Sequence, residues 1–349
     1  MPPVSIPATM NALLLKNDGY ARQPSGTVLE ALDPYVDAGT IAVPEPEGRQ
    51  VLIKVDLASI NPSDVMFVKG MYGQPRVQGR PAGFEGVGHV VAAGPEPEAQ
   101  ALIGRRIAFA TGLSNWGSWA DYAVADAPGC IPLLDTVRNE DAAAMIVNPL
   151  TALAMFGIVK EAGEKAFVLT AGASQLCKLI ISVAKDEGYR PIAIVRRDEQ
   201  IAMLKELGAA HVLNADAPGF RDELAAVLRE EKPRIFLDAV TGPLAGAIFN
   251  AMGRHARWIV YGRLDPAATP IPEPGQLIFM HKKIEGFWLV EWMRTAGAER
   301  RMSAVVEAQK RFSDGRWATD VTAVVPLSEA IERVPQELAK PNGKVFIAP

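Results

Sequence analysis

The chain has 349 residues, of which 49% are hydrophobic and 22% charged, and its formal net charge is −4. This length is enough for two domains with substantial cores, and the acidic balance argues against binding to nucleic acid or to an anionic membrane surface. Two cysteines are too few for a disulfide framework or a four-cysteine zinc site.

The cysteine usage and the N-terminal composition favour a cytoplasmic protein. We expect both cysteines to be small core residues in a reducing compartment. Residues 1–10 lack the charged region and the long apolar region of a signal peptide. No apolar run reaches the ~18 residues that a membrane span needs.

The first 147 residues are dense in turn residues and have short apolar runs, which indicates a β-rich unit with irregular loops. The predicted strands are 11–16, 50–60, 86–93, 105–110 and 119–124. Alternation within 50–60 predicts that one face of that strand is solvated, and the Pro-, Glu- and Gly-rich residues 31–50 are predicted to be a surface excursion. Residues 141–156 are apolar at helical spacing, and Pro149 marks the predicted domain boundary.

From residue 165 the pattern alternates between strand and helix, which predicts a parallel, doubly wound sheet with a ligand crevice at the carboxyl ends of its strands. The predicted strands are 166–171, 191–196, 211–215, 234–240, 257–262 and 283–287, and the helices are 174–187, 198–207, 220–231 and 243–252. The tail, with a helix over 298–312 and strands over 321–325 and 343–348, is predicted to return to the first unit. The predicted domains are therefore 1–147 with 288–349, and 148–287.

A turn of small residues joins the first strand of this sheet to its helix. Such a turn directs backbone N–H groups and a positive helix end towards its ligand, which suits a pyrophosphate. The predicted dinucleotide contacts in this turn are Gly172, Ala173, Ser174, Gln175 and Leu176. Ala171, Ser174 and Cys177 occupy the three positions where the usual fingerprint has glycine, so an ordinary strand–helix turn is the alternative.

Arg196 and Arg197 follow the next predicted strand, about twenty residues after the turn, where the adenine ribose normally lies. An acid at this point would accept hydrogen bonds from the ribose hydroxyls, whereas two arginines would pair with a 2′-phosphate. The position therefore favours NADPH over NADH, with a solvated basic strand end as the alternative.

Several segments resemble the medium-chain dehydrogenase/reductase superfamily, in which a Rossmann domain interrupts a GroES-like catalytic domain. Ile-Asn-Pro-Ser-Asp-Val at 60–65, Gly-Phe-Glu-Gly-Val-Gly at 83–88 and Asn-Pro-Leu-Thr at 148–151 are similar to its zinc-free quinone and enoyl thioester reductases. The segments 70–73, 259–262 and 285–289, with Trp292, resemble the mitochondrial-type 2-enoyl thioester reductases. The resemblance extends from about residue 11 to residue 347.

The resemblance implies roles for single residues. Tyr72 aligns with the tyrosine that donates a proton in the enoyl reductases, although a turn tyrosine is the alternative. Asn61 resembles a residue that contacts the nicotinamide ribose or holds that tyrosine. The further implied cofactor contacts are Thr151, Tyr261, Phe287 and Trp288. Asn61 and Phe84 stand where the zinc-dependent branch has cysteine and histidine, so no metal is expected.

The expected function is NADPH-dependent transfer of hydride to the activated C=C of an α,β-unsaturated carbonyl compound, of the enoyl thioester type, or to a quinone. The alternatives are an NADPH:quinone oxidoreductase proper and a non-catalytic, crystallin-like protein that keeps the cofactor fold. The expected partners are a small-molecule substrate and a second copy of the chain in a homodimer.

Overall fold

The computed structural model describes residues 5–22, 26, 28–112, 116–271, 273–340 and 343–349. The prediction that residues 1–10 contain no signal peptide therefore falls partly outside the described residues, at positions 1–4. The chain forms two compact units, residues 1–147 with 305–349, and residues 148–304. In the ranges described, no helix is both long enough and apolar enough to cross a membrane.

The secondary structure is mixed α/β. The strands are β1 (Thr9–Leu15), β2 (Val36–Ala42), β3 (Gln50–Ser59), β4 (Glu85–Ala93), β5 (Arg106–Ala110), β6 (Tyr122–Asp126), β7 (Cys130–Pro132), β8 (Ala166–Leu169), β9 (Arg190–Val195), β10 (His211–Asn214), β11 (Ile235–Asp238), β12 (Arg257–Val260), β13 (Lys283–Gly286), β14 (Val321–Pro326) and β15 (Lys344–Ala348). The helices are α1 (Pro62–Val68), α2 (Pro97–Gln100), α3 (Asn139–Ala143), α4 (Val147–Ala162), α5 (Gln175–Asp186), α6 (Ile201–Leu207), α7 (Phe220–Glu231), α8 (Gly242–Ala251), α9 (Gly275–Phe279), α10 (Leu289–Thr295), α11 (Ala298–Ser313) and α12 (Ala330–Leu338).

The first unit contains a seven-stranded sheet in the order β14-β15-β3-β4-β5-β7, with β6 also paired to β3. β15 lies antiparallel to β3, with Phe346 opposite Ser59. The last strand of the chain therefore pairs with an early one, as the sequence pattern predicts.

One prediction for this unit is incomplete and another is wrong. Residues 31–50 lie largely at the surface, as predicted, but they include β2, which pairs with β1 along its whole length as an antiparallel ribbon. β3 has no solvated face, since Lys54 is its only exposed residue. Leu52 lies in a buried cluster with Met10 of β1 and Tyr122 of β6, so the ribbon covers the face that was expected to be in water.

The second unit contains a six-stranded parallel sheet in the order β10-β9-β8-β11-β12-β13. Numbered within the unit, this is the order 3-2-1-4-5-6 of a Rossmann fold, which confirms the predicted doubly wound sheet. Val168, Ile192, Phe236 and Trp258 lie in its buried core.

The junctions between the units differ in detail from the predicted ones. The break between α3 and α4 precedes Pro149, which lies in the first turn of α4, where its missing N–H costs no helical hydrogen bond. The second unit continues past Phe287 to Ala304. Arg300 of α11 donates to Glu161 of α4 at 2.9 Å, which ties the start of α11 to the second unit.

Candidate functional site

The small-residue turn between β8 and α5 is shaped by its neighbour β9. Ala171 has φ +50°, a left-handed conformation that usually favours glycine. The Gly172 N–H donates to the Ile194 carbonyl at 2.9 Å, and a Cβ on Gly172 would lie 2.9 Å from the Ala193 Cβ. Glycine is therefore needed at 172 because the turn packs directly on β9. Position 172 is not one of the three positions at which the usual fingerprint has glycine.

Ser174 begins α5. Its Oγ accepts the Cys177 N–H at 3.2 Å, which makes it the N-cap. The N–H groups of Gln175 and Leu176 belong to the first helical turn, where no intrahelical acceptor exists. Ala173 and Ser174 are half-buried, so the turn presents small side chains and a helix N-terminus, as a pyrophosphate site requires.

The sheet changes direction of winding between β8 and β11, and a buried hydrogen bond joins the ends of these strands. Thr170 Oγ1 donates to Asp238 Oδ1 at 2.5 Å. The Asp238 carboxylate also accepts from the Trp258 indole N–H at 2.9 Å and from the N–H of Thr241 at 3.1 Å. This network fixes the carboxyl edge of the sheet at its topological switch point, where ligands bind in open α/β sheets.

Arg196 and Arg197 follow the carboxyl end of β9. Arg196 Nε lies 3.2 Å from Asp216 Oδ2, and its side chain is 81% exposed. Arg197 Nη1 lies 3.5 Å from Glu199 Oε1, and both side chains are exposed. Exposed ion pairs of this kind contribute little stability, so both guanidinium groups can exchange these partners for a phosphate.

The other predicted cofactor contacts of this unit follow strands of the same sheet or lie on α4. Tyr261 follows β12, and its hydroxyl lies 3.5 Å from Cys177 Sγ of α5. Burial raises the pKa of Tyr261 well above its usual value. Phe287 follows β13 and is half-buried, Trp288 is 37% exposed, and Thr151 is buried in α4. Since the strands are parallel, the turn, the two arginines, Tyr261 and Phe287 all lie at the carboxyl edge.

In the first unit, Asn61 lies in a buried polar network. Its Nδ2 donates to Glu85 Oε1 at 2.8 Å and to Ser59 Oγ at 3.2 Å. Its Oδ1 accepts from Lys344 Nζ at 2.5 Å, and its backbone N–H donates to Asp64 Oδ2 at 2.8 Å. Asn61 is 1% exposed, and both the oxygen and the nitrogen of its carboxamide form hydrogen bonds within the protein. Contact with the nicotinamide ribose stays a prediction.

The network holds two acids and one cation in the protein interior. The pKa of Asp64 is raised to about 7, chiefly by burial and also by the nearby Glu85, against the opposing effects of the Asn61 N–H and of Lys344. Burial lowers the pKa of Lys344, against the attraction of Glu85 and Asp64. The second Glu85 oxygen accepts the N–H of Val147 at 2.8 Å. Every polar group in the network thus has a partner, as buried charges require.

Tyr72 lies in the loop that follows α1, and its ring is half-buried. The Tyr72 ring packs on Phe84 with centroids 5.1 Å apart, and Phe84 packs on Phe67 at 4.9 Å. The Phe84 N–H donates to Asp64 Oδ1 at 2.8 Å. The aromatic platform under Tyr72 is therefore anchored to the same network that holds Asn61.

Sequence reasoning missed Glu85, Asp64 and Lys344 as members of one network. A local signal existed for Asp64, since Asn-Pro-Ser-Asp has the spacing of a helix-capping box. Glu85 and Lys344 come from distant strands, and only tertiary structure brings them to Asn61. Across the described ranges, no group of three or more His, Cys, Asp or Glu side chains is arranged to hold a metal ion.

Comparison with known proteins matches each unit to a recognised family. The profile described as "Alcohol dehydrogenase GroES-like domain" matches residues 47–135, and that described as "Zinc-binding dehydrogenase" matches residues 176–304. A structure from Mesorhizobium loti, named a "putative NADPH:quinone reductase", is 72% identical, with TM-score 0.96 over 99% of this chain and 100% of that one. The chain belongs to the medium-chain dehydrogenase/reductase superfamily. This confirms the resemblance and the GroES-like and Rossmann fold class.

Two further relatives carry enoyl reductase names. The human mitochondrial enoyl-[acyl-carrier-protein] reductase is 27% identical over 292 residues, which cover 81% of this chain and 76% of the relative. A mitochondrial 2-enoyl thioester reductase heterodimer from Candida tropicalis has TM-score 0.76 at 19% identity, over 98% of this chain and 100% of that one. The second likeness concerns the fold alone.

Proposed function

We propose that this oxidoreductase uses NADPH to reduce the C=C bond of an α,β-unsaturated carbonyl compound of the enoyl thioester type. The names of the human relative and of the Mesorhizobium loti structure support an NADPH-dependent reductase. The observation that carries the choice of substrate is Tyr72, a phenol on a fixed loop in the unit that does not hold the nucleotide turn.

The second unit provides residues that fit the cofactor. Gly172 and Ser174 shape the turn for the pyrophosphate, and Arg196 and Arg197 offer two exposed guanidinium groups for the 2′-phosphate. When bound, NADPH supplies the hydride. The residues of the chain bind it, orient it and select it against NADH.

Tyr72 supplies the proton. Addition of hydride to the β-carbon of an unsaturated thioester leaves an enolate, which must be protonated at the α-carbon. A phenol, with a reference pKa near 10, keeps its proton at neutral pH and can give it to this much more basic carbon. The platform of Phe84 and Phe67 restricts the Tyr72 ring, and general acid catalysis depends on such positioning.

A quinone is the second candidate substrate, and the name of the 72%-identical structure favours it. A reduced quinone is a stable oxyanion that water can protonate, so its reduction depends less on an internal acid. The two substrates therefore make different demands on Tyr72.

A substrate panel tests the proposal. Crotonyl thioesters and simple quinones are offered to the purified protein with NADPH and NADH in parallel, and kcat/KM is measured for each pair. We expect the highest value for an enoyl thioester with NADPH. Turnover of quinones alone would favour the second candidate, and turnover of neither would favour a non-catalytic cofactor-binding protein.

We further propose that two copies of the chain associate through the β13 edge of the Rossmann sheet. β13 is the last strand of that sheet, and Ile284 on it is 39% exposed. Ile278 and Phe279 of α9 are 67% and 73% exposed. An exposed sheet edge with exposed apolar side chains on it and beside it favours pairing with a second copy. Light scattering should show a dimer for the natural chain and a monomer for Phe279→Glu with Ile284→Lys, while a natural monomer would refute the proposal.

A further inference from the structure

The loop that carries Tyr72 begins and ends with a buried cation. Lys69 is 6% exposed and Arg76 is 7% exposed. Within the described ranges neither side chain forms an ion pair with a carboxylate, and the residues outside those ranges include no Asp or Glu. Both cations are instead bonded to main-chain carbonyl groups.

Arg76 joins three stretches of backbone. Its Nη1 donates to the Val68 carbonyl at 3.0 Å, which is the end of α1, its Nε donates to Gly19 at 3.0 Å, and its Nη2 donates to Asp18 at 3.4 Å. The Arg76 N–H also donates to the Gly19 carbonyl at 3.2 Å, and the Gly19 N–H returns a bond to Arg76 at 2.9 Å. The far end of the loop is thereby fixed to α1 and to the segment around Gly19.

The near end is fixed just as closely. Lys69 Nζ donates to the Val28 carbonyl at 2.8 Å and to the Gly26 carbonyl. Gly70 has φ +74° and ends α1 in a Schellman motif, with the Met71 N–H donating to the Met66 carbonyl at 2.8 Å. The Gly70 carbonyl accepts the Ala21 N–H at 2.8 Å.

Removing a cation from water is costly, and burial lowers the pKa of both Lys69 and Arg76, although Glu30 attracts Lys69 and Asp18 attracts Arg76. The Arg76 guanidinium presents several N–H donors in a rigid fork. Only one arrangement of the surrounding carbonyl groups can satisfy all of them. The gain is thus in defining the path of the loop.

We propose that Arg76, assisted by Lys69, is a positioning residue for Tyr72: it holds the 69–76 loop so that the phenol meets the α-carbon. This inference rests on the proposed function of Tyr72 as the proton donor. Displacement of a catalytic group by ~1 Å can cost about 10²-fold in rate. Arg76 touches neither the substrate nor the cofactor in this account and acts only through the loop.

The test is a double-mutant cycle. Arg76→Met keeps most of the side-chain volume and removes all donors, so enoyl thioester turnover should fall about 10–100-fold. The KM for NADPH and the turnover of a quinone should stay within about twofold, because quinone reduction depends little on Tyr72 and NADPH binds to residues of the other unit in the proposed function. Arg76→Lys should recover part of the loss. Arg49→Met removes an exposed arginine of the same unit, paired with Asp126 at 3.1 Å, and serves as the matched control.

The decisive comparison places Arg76→Met in the Tyr72→Phe background. If Arg76 acts through Tyr72, the second substitution should change enoyl turnover little there. An equal loss in both backgrounds would overturn the positioning role and leave the proton donor intact. No effect of Tyr72→Phe alone would refute the proton donor itself, and the positioning role with it. Thermal unfolding checks that each variant folds. If Arg76→Met does not fold, Arg76→Lys replaces it in the double-mutant cycle.

Discussion

Replacement of Arg196 and Arg197 by alanine should weaken the preference for NADPH over NADH. Each guanidinium is exposed and forms a surface ion pair, Arg196 with Asp216 at 3.2 Å and Arg197 with Glu199 at 3.5 Å. Such pairs are worth roughly 0–1 kcal/mol, whereas a charge-assisted bond to a phosphate contributes about 1.5–3 kcal/mol. The net gain of about 1–2 kcal/mol corresponds to a factor of roughly 5–30 in affinity.

The assay compares the KM values for NADPH and NADH of the single and double alanine variants at one fixed ionic strength. The KM for NADPH should rise by at least this factor in the double variant, and that for NADH should change little. Arg234→Ala is the matched control, because Arg234 is an ion-paired arginine next to the amino end of β11, at the opposite edge of the same sheet. Equal weakening towards both cofactors would refute the assignment.

Three further predictions concern stability and metal content. Gly172→Ala should lower the free energy of unfolding by about 1–3 kcal/mol and raise the KM for NADPH, because the new Cβ would lie 2.9 Å from the Ala193 Cβ; an unchanged KM would contradict the turn assignment. The pKa of Glu231 is lowered to about 2, chiefly by its bonds to Arg190, so this pair stabilises the fold above pH ~4.5 and its contribution is lost as the pH falls towards 2. Glu231→Gln should therefore lower the free energy of unfolding in urea by about 1–2 kcal/mol at pH 7, after allowance for solvent screening. An equal difference in stability between the two proteins at pH 2 would contradict this prediction. Elemental analysis of the purified protein should find no stoichiometric zinc, and activity should survive prolonged chelation.

Much of the second unit can be predicted from the sequence because its elements are defined locally. Most strands of this sheet are short apolar runs that alternate with helices, and Ser174 gives a local start signal for α5. The positions of the small-residue turn and of Arg196 follow from that alternation.

The first unit is harder to predict because its burial depends on distant segments. The alternation in β3 indicates one wet face, yet Leu52 is covered by Met10 of a ribbon whose second strand has no clear strand pattern. The network around Asn61 has the same origin, since Glu85 lies on β4 and Lys344 on β15, two strands that pair with β3 and are far from Asn61 in the sequence. Nothing in the sequence near Asn61 indicates these partners.

The most direct measurement is the effect of Tyr72→Phe on two substrates of one enzyme preparation. The substitution keeps the ring that packs on Phe84 and removes only the acidic proton. With a crotonyl thioester and NADPH, turnover should fall by roughly 10²–10⁴-fold, the usual contribution of a general acid, while the KM for NADPH stays constant. With a quinone the loss should be small. Comparable small losses with both substrates would contradict the account, since Tyr72 would then be only a loop residue and quinone reduction the better description.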